Sequence, residues 1–193
     1  MAVALILDFP GGTREQYDRV VEKMDLEGRM APGGLFHAAG SYEGGWRVID
    51  AWEDLAQFER FRDEKIVPYV TEVGMAPPRV RAIEVHEEKP GSGARPALVQ
   101  VVRMPGLDAD GFAALDGKAL PDGRPPEALT FHVNGPEGDG WCVVDAWESK
   151  EARDRFLEER IKPAAEGSSL SGPPEIEDLA VEATLAERSG APA

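Results

Sequence analysis

The chain has 193 residues, 42% of them hydrophobic and 30% charged, the profile of a soluble globular protein. Lys and Arg number 21 against 36 Asp and Glu; the net charge of −15 repels phosphate backbones and anionic lipid headgroups, so neither nucleic acid nor membrane is an expected partner. Cys142 is the single cysteine, which excludes an intrachain disulfide and a cysteine-based metal cluster.

The first residues, Met1–Leu7, are apolar but lack the basic leader and the length of a signal peptide, and Asp8 interrupts them. A cytoplasmic protein is expected. Val3 to Phe9 reads as a strand stopped by Pro10-Gly11-Gly12. Thr13 and Gln16 form a capping-box pattern, followed by Tyr17, Val20, Val21 and Met24 at helical spacing. Pro32-Gly33-Gly34 precedes a strand from Leu35 to Gly40, and a turn at Glu43-Gly44-Gly45 leads into a second from Trp46 to Glu53, a hairpin. Asp54 caps a second helix with Phe58, Phe61 and Tyr69 toward the core, and Pro77-Pro78 precedes a last strand from Val80 to His86.

This order then recurs. Residues 36–68 map onto 131–163 at a constant offset of 95, with 15 of 33 positions identical. A duplicated unit of this size is a small domain rather than a solenoid repeat. The second copy has a strand from Val99 to Met104, a helix from Asp108 with Phe112 and Leu115, a hairpin around Pro136 to Gly140, and a helix capped by Ser149; Arg153 stands where the first copy has Phe58. The expected division is a first repeat over 1–87, a Pro- and Gly-rich linker over 88–96, a second repeat over 97–185 and a mobile tail over 186–193.

The order βαββαβ predicts an α+β fold: tandem ferredoxin-like repeats, each an antiparallel sheet with both helices on one face. Turning the two open faces together would enclose a shared interior. At this point Phe36-His37-Ala38-Ala39-Gly40, followed by Gly44-Gly45-Trp46-Arg47-Val48-Ile49-Asp50-Ala51-Trp52-Glu53, resembles the dimeric α/β-barrel superfamily, which includes the antibiotic-biosynthesis monooxygenase-like proteins, and in particular its small uncharacterised bacterial members. The resemblance implies a pseudo-dimeric barrel on one chain, with further self-association left open.

Strand alternation places Trp46, Val48, Asp50 and Trp52 on one face and Arg47, Ile49, Ala51 and Glu53 on the other. Symmetry about the turn sets His37 opposite Asp50 and Ala39 opposite Val48, and in the second copy His132 opposite Asp145. The first face is expected to look into the shared interior, and the second, with Cys142 at the position of Arg47, to meet the helices. Each His–Asp pair reads two ways: a proton relay in which the carboxylate orients the imidazole, or a buried polar pair holding strands in register. Likewise Trp46, Trp52, Trp141 and Trp147 either stack on a flat ligand or pack the core.

No nucleophile elbow, phosphate loop or dinucleotide fingerprint is present, and no histidine pair or acidic loop with metal-ligand spacing accompanies His37, His86 and His132. Neither metal nor cofactor is expected. Three functions remain. The superfamily resemblance implies a cofactor-independent oxygenase or polyketide cyclase acting on a small apolar or aromatic metabolite, with His37, Asp50, His132 and Asp145 as acid–base pairs and the four tryptophans holding substrate. A non-catalytic protein that binds such a metabolite, and a haem-binding or haem-degrading barrel, are the alternatives.

Overall fold

The computed structural model describes residues 1–89, 91–166 and 170–186. Its chain folds as two compact units, Met1–Ala82 with the segment from Val181, and Ile83–Ala180. Among the described residues no helix is long and apolar enough to cross a membrane.

The first sheet and its helices comprise β1 (Val3–Pro10), α1 (Arg14–Met24), β2 (Gly34–Tyr42), β3 (Gly45–Trp52), α2 (Leu55–Phe61), a π-helical turn (Arg62–Ile66), α3 (Val67–Glu72) and β4 (Arg79–Glu84), whose last two residues already count with the second unit. Thr13 accepts from the Gln16 N–H while Gln16 caps the Thr13 N–H, the capping box foreseen, a bond set that stabilises α1 by about 1 kcal/mol. Asp54 caps α2 through the Gln57 N–H. The expected single second helix is interrupted by the π-helical turn, recurring at Leu157–Ile161 in the second copy. Pro68 and Pro163 follow these turns, and a proline without N–H cannot complete the bond to the carbonyl four residues back.

The hairpin register is the one read from the turn: His37 pairs with Asp50 and Ala39 with Val48. Glu43 and Gly44 both take positive φ, 44° and 73°, the combination that matches a two-residue turn to the twist of its strands. Gly45 admits no side chain, because a Cβ there would lie 2.3 Å from the carbonyl oxygen of Phe9 on β1.

The second unit follows the same plan with β6 (Leu98–Pro105), α4 (Ala109–Ala119), β7 (Leu129–Glu137), β8 (Gly140–Trp147), α5 (Lys150–Phe156), its own π-helical turn, α6 (Lys162–Ala165) and β9 (Glu175–Ala180). His132 pairs with Asp145. Each sheet also gains a fifth strand that the sequence did not announce. β5 (Glu87–Lys89) pairs with β7, and β10 (Ala183–Thr184) pairs with β2, giving sheet orders β10-β2-β3-β1-β4 and β5-β7-β8-β6-β9. The expected linker therefore starts with a strand of the second sheet. The segment after the second repeat belongs to the first, where Ala186 exchanges backbone bonds with Gly28 and Met30 at 2.9 Å. The rest of the expected mobile tail, 187–193, lies outside the described residues.

One expectation is reversed. The face bearing Trp46, Val48, Asp50 and Trp52 is the one its own helices cover, since Trp46, Val48 and Trp52 share a core with Tyr17, Val20, Phe58, Ile66 and Val70. Trp52 meets Phe58 and Phe61 with ring centroids 5.7 and 5.3 Å apart. Arg47 and Cys142 lie on the opposite face, where Arg47 is buried and held by Asp8, its cross-strand partner. Alternation defines two faces without saying which one the helices take. Size settles it: the helix layer leaves a gap that Trp, Phe and Leu fill, whereas Ala4, Ala38 and Ala51 line the other side.

Candidate functional site

In the first unit, β2 and β3 bring the imidazole and carboxylate together, with His37 Nδ1 2.7 Å from Asp50 Oδ1. Tyr17, from the first turns of α1, places its hydroxyl 2.7 Å from His37 Nε2. An ionised carboxylate only accepts, so Nδ1 carries a proton. The phenol either donates to a neutral Nε2 or accepts from a protonated one, and the bond survives both states. Burial, reinforced by the Asp50 carboxylate, pushes the Tyr17 phenol above the ordinary tyrosine range, so it keeps its proton. Tyr17, His37, Asp50 and Trp52 border an apolar cavity of about 70 Å³ between sheet and helices. Trp46 is fully buried against Tyr17, centroids 5.2 Å apart, and its indole N–H has no partner among the described residues.

The second unit closes its pair differently. His132 Nδ1 lies 2.6 Å from Asp145 Oδ1, but Nε2 meets the side-chain amide of Asn134 at 3.0 Å. The Trp141 indole, which only donates, reaches Asn134 Oδ1 at 3.0 Å. That fixes the amide: its NH₂ must face His132 Nε2 and the Glu87 carboxylate, 3.2 Å away. Nε2 therefore accepts, and His132 is the neutral Nδ1–H tautomer with both ring nitrogens engaged. At the repeat offset Tyr17 corresponds to Phe112 and Ala39 to Asn134. The two copies thus cap the same imidazole from different elements.

His132 and Asp145 belong to a polar row crossing all five strands of the second sheet. Asp178 pairs with Gln100, Gln100 with Asp145, Asp145 with His132 and His132 with Lys89, and directly opposed residues point to one face. Gln100 Nε2 donates to Asp178 at 3.1 Å, and Arg153 on α5 grips both Asp178 oxygens at 2.7 Å. At the other end Lys89 donates to Asp116 on α4 at 2.5 Å. The first copy has Leu5, Phe58 and Val21 where the second has Gln100, Arg153 and Asp116. Ala82 matches Asp178 once β4 and β9, which share one burial pattern, are aligned with one extra residue.

Above this row lies a cavity of about 370 Å³, walled by Val102, Phe112, Leu115, Val143, Trp147 and Phe156 among others, with Gln100, His132, Asp145, Lys89, Asp116 and Lys162 as its polar and charged lining. Of the four tryptophans, Trp52 lines the smaller cavity and Trp147 the larger. Trp141 instead packs against Phe112 and the edge of His86, centroids 5.7 and 5.1 Å apart. His86 is exposed and lines neither cavity.

No family model and no curated protein sequence matches the chain. Solved structures do. A candidate monooxygenase from Lactobacillus acidophilus NCFM is similar with a TM-score of 0.69 and 14% identity, over 96% of this chain and 96% of that one. Another from Fusobacterium nucleatum gives a TM-score of 0.68 at 12% identity, over 96% and 94%. A variant chlorite dismutase from Candidatus Nitrospira defluvii gives 0.55 at 11% identity, over 92% and 91%. At these identities the likeness is one of fold, an α+β arrangement of antiparallel sheets and helices.

Hairpin register alone brings His37 to Asp50 and His132 to Asp145, whereas the partners of the second ring nitrogens come from outside that pairing. Tyr17 reads as one more apolar position of an amphipathic helix, and Asn134 as a loose polar residue in a strand. The signal was their divergence: at both positions one copy is apolar where the other can hydrogen-bond.

Proposed function

We propose that this chain binds a small, largely apolar metabolite in the cavity of its second unit. The observation that carries this reading is the cavity itself, about 370 Å³ of apolar space over a polar floor, within the usual range of small-molecule sites. Trp147 on its wall provides the signal. Titrating aromatic metabolites against intrinsic tryptophan fluorescence should reveal saturable binding to the native chain and weaker binding to a Val143→Phe variant that takes up part of the space. Equal binding by both proteins would place the ligand elsewhere and end this reading.

A second reading, acid–base catalysis of the cofactor-independent oxygenase or cyclase kind, draws support from the Asp50–His37–Tyr17 chain, whose terminal bond holds in either protonation state. The candidate monooxygenases that share the fold are consistent with this class. The space of about 70 Å³ beside Tyr17 accepts the edge of a substrate rather than the whole of one. His132 and Asp145, with both ring nitrogens occupied, then serve to orient ligand. With a substrate in hand, His37→Ala should abolish turnover and His132→Ala should mainly raise KM; unchanged turnover in His37→Ala removes the catalytic assignment.

The residues do not fit a haem iron. His37 and His132 have both ring nitrogens hydrogen-bonded, and His86 lines neither cavity, so among the described residues no histidine aims a free nitrogen into either space.

A further inference from the structure

Lys89 is the feature of the larger cavity that neither the repeat pattern nor the fold class accounts for. It sits on β5 directly across from His132, and its side chain is only 12% exposed. A half-buried ammonium is costly without partners. Here Asp116 takes one of its three protons at 2.5 Å, and Glu87 lies 3.8 Å away. Among the described residues the first unit has nothing comparable: Leu185, the residue after β10, lines its cavity, and Val21 stands in place of Asp116.

Two consequences follow for whatever occupies the cavity. Lys89 has donors to spare and lines the cavity beside His132, whose own ring nitrogens are both engaged. Beside the ammonium the two carboxylates of Asp116 and Glu87 already outnumber it, and Lys162, the other cation lining the cavity, is paired with Glu158, so a second anion brought to Lys89 meets net repulsion. An uncharged oxygen acceptor meets none.

We propose that Lys89 reads the polar head of the ligand, and that Asp116 and Glu87 set this subsite for an uncharged acceptor such as a ketone or amide carbonyl, excluding a carboxylate. The proposal rests on the reading that this cavity binds a small apolar molecule, and it adds which end group the molecule carries and which residue recognises it.

Three naphthalenes of nearly equal size test it by calorimetric titration of the full chain: 2-ethylnaphthalene, 2-acetylnaphthalene and 2-naphthoate. The native protein should bind the acetyl compound about tenfold more tightly than the ethyl compound, the gain expected of a hydrogen bond from a charged donor, and the naphthoate at least tenfold more weakly than the acetyl compound. Lys89→Leu, copying Leu185, should bring the acetyl-to-ethyl ratio to about one, whereas Lys89→Gln, which keeps a donor, should retain a preference of about threefold. Asp116→Val, copying Val21, should narrow the penalty against naphthoate by about tenfold. Acetyl preference surviving in Lys89→Leu, or naphthoate favoured by the native protein, overturns the proposal. Equal binding of the ethyl and acetyl compounds to the native chain removes the Lys89 assignment and leaves the cavity reading standing; no binding by any of the three removes both.

Discussion

The indole N–H of Trp141 donates to Oδ1 of Asn134 at 3.0 Å, and that single bond settles which nitrogen of His132 carries its proton. The first unit lacks the arrangement, since Ala39 replaces Asn134 and the Trp46 indole stays buried without an acceptor among the described residues. Replacing Asn134 with Ala would leave a buried indole N–H and an imidazole nitrogen unpaired, a loss of about 2 kcal/mol. Urea denaturation should show that loss, and nitrogen chemical shifts of the His132 ring should depart from the Nδ1–H pattern.

Tyr17 makes stability fall in alkali. Its phenol is raised by burial and by Asp50, whereas in the unfolded chain it ionises near pH 10. The stability it contributes is therefore complete below about pH 10 and is lost as pH rises from there toward the higher folded value. A Tyr17→Phe variant should cost about 1 kcal/mol at neutral pH and lose less than the native protein between pH 9.5 and about pH 11, measured as the shift in urea midpoint.

Arg153 and Asp178 predict the opposite dependence. Burial works to raise the Asp178 carboxyl, but hydrogen bonds from Arg153 and Gln100 outweigh it and hold Asp178 below the ordinary carboxylate range. The pair's contribution is present above about pH 4 and disappears as pH falls through the lower folded value. Arg153→Met should cost about 1–2 kcal/mol at neutral pH, less than a fully buried pair because Asp178 keeps 39% exposure, and the cost should vanish in acid. Arg153→Phe combined with Asp178→Ala, the residues of the first copy, should recover part of the loss. Thermal melts from pH 2.5 to about pH 7 would follow both.

Val48 and Val143 occupy equivalent positions, both buried, beside cavities of about 70 and 370 Å³. Enlarging each to Phe should separate the two units. Val48→Phe overpacks and should destabilise by about 1–3 kcal/mol, while Val143→Phe enters open space and should be neutral or stabilise by up to about 1 kcal/mol. Equal destabilisation by the two substitutions would contradict the difference in cavity size.

Much of this arrangement was legible because hairpin register follows from turn symmetry, and a two-residue turn at Glu43-Gly44 leaves one pairing that sets His37 against Asp50. The covered face was not legible, because Ile49 and Ala51 are as apolar as Val48 and differ from Trp46 and Trp52 only in bulk. β5 and β10 escaped because two or three residues carry no periodicity: Glu87-Glu88-Lys89 has a linker's composition and becomes a strand only because β7 offers a free edge. Tyr17, Asn134 and Lys89 act through partners distant in sequence, visible only when the two copies are compared at their points of disagreement.

The edge strands tie the manufacture of the two repeats together. A fragment of residues 1–86 would leave β2 with a naked hydrogen-bonding rim, because β10 is encoded after the second repeat; one starting at residue 97 would do the same to β7, because β5 is encoded before it. Bare rims recruit strands from other chains. Severing the gene at its apparent seam would yield two aggregation-prone products, so the duplication, once fused, is held together by the solubility of its parts.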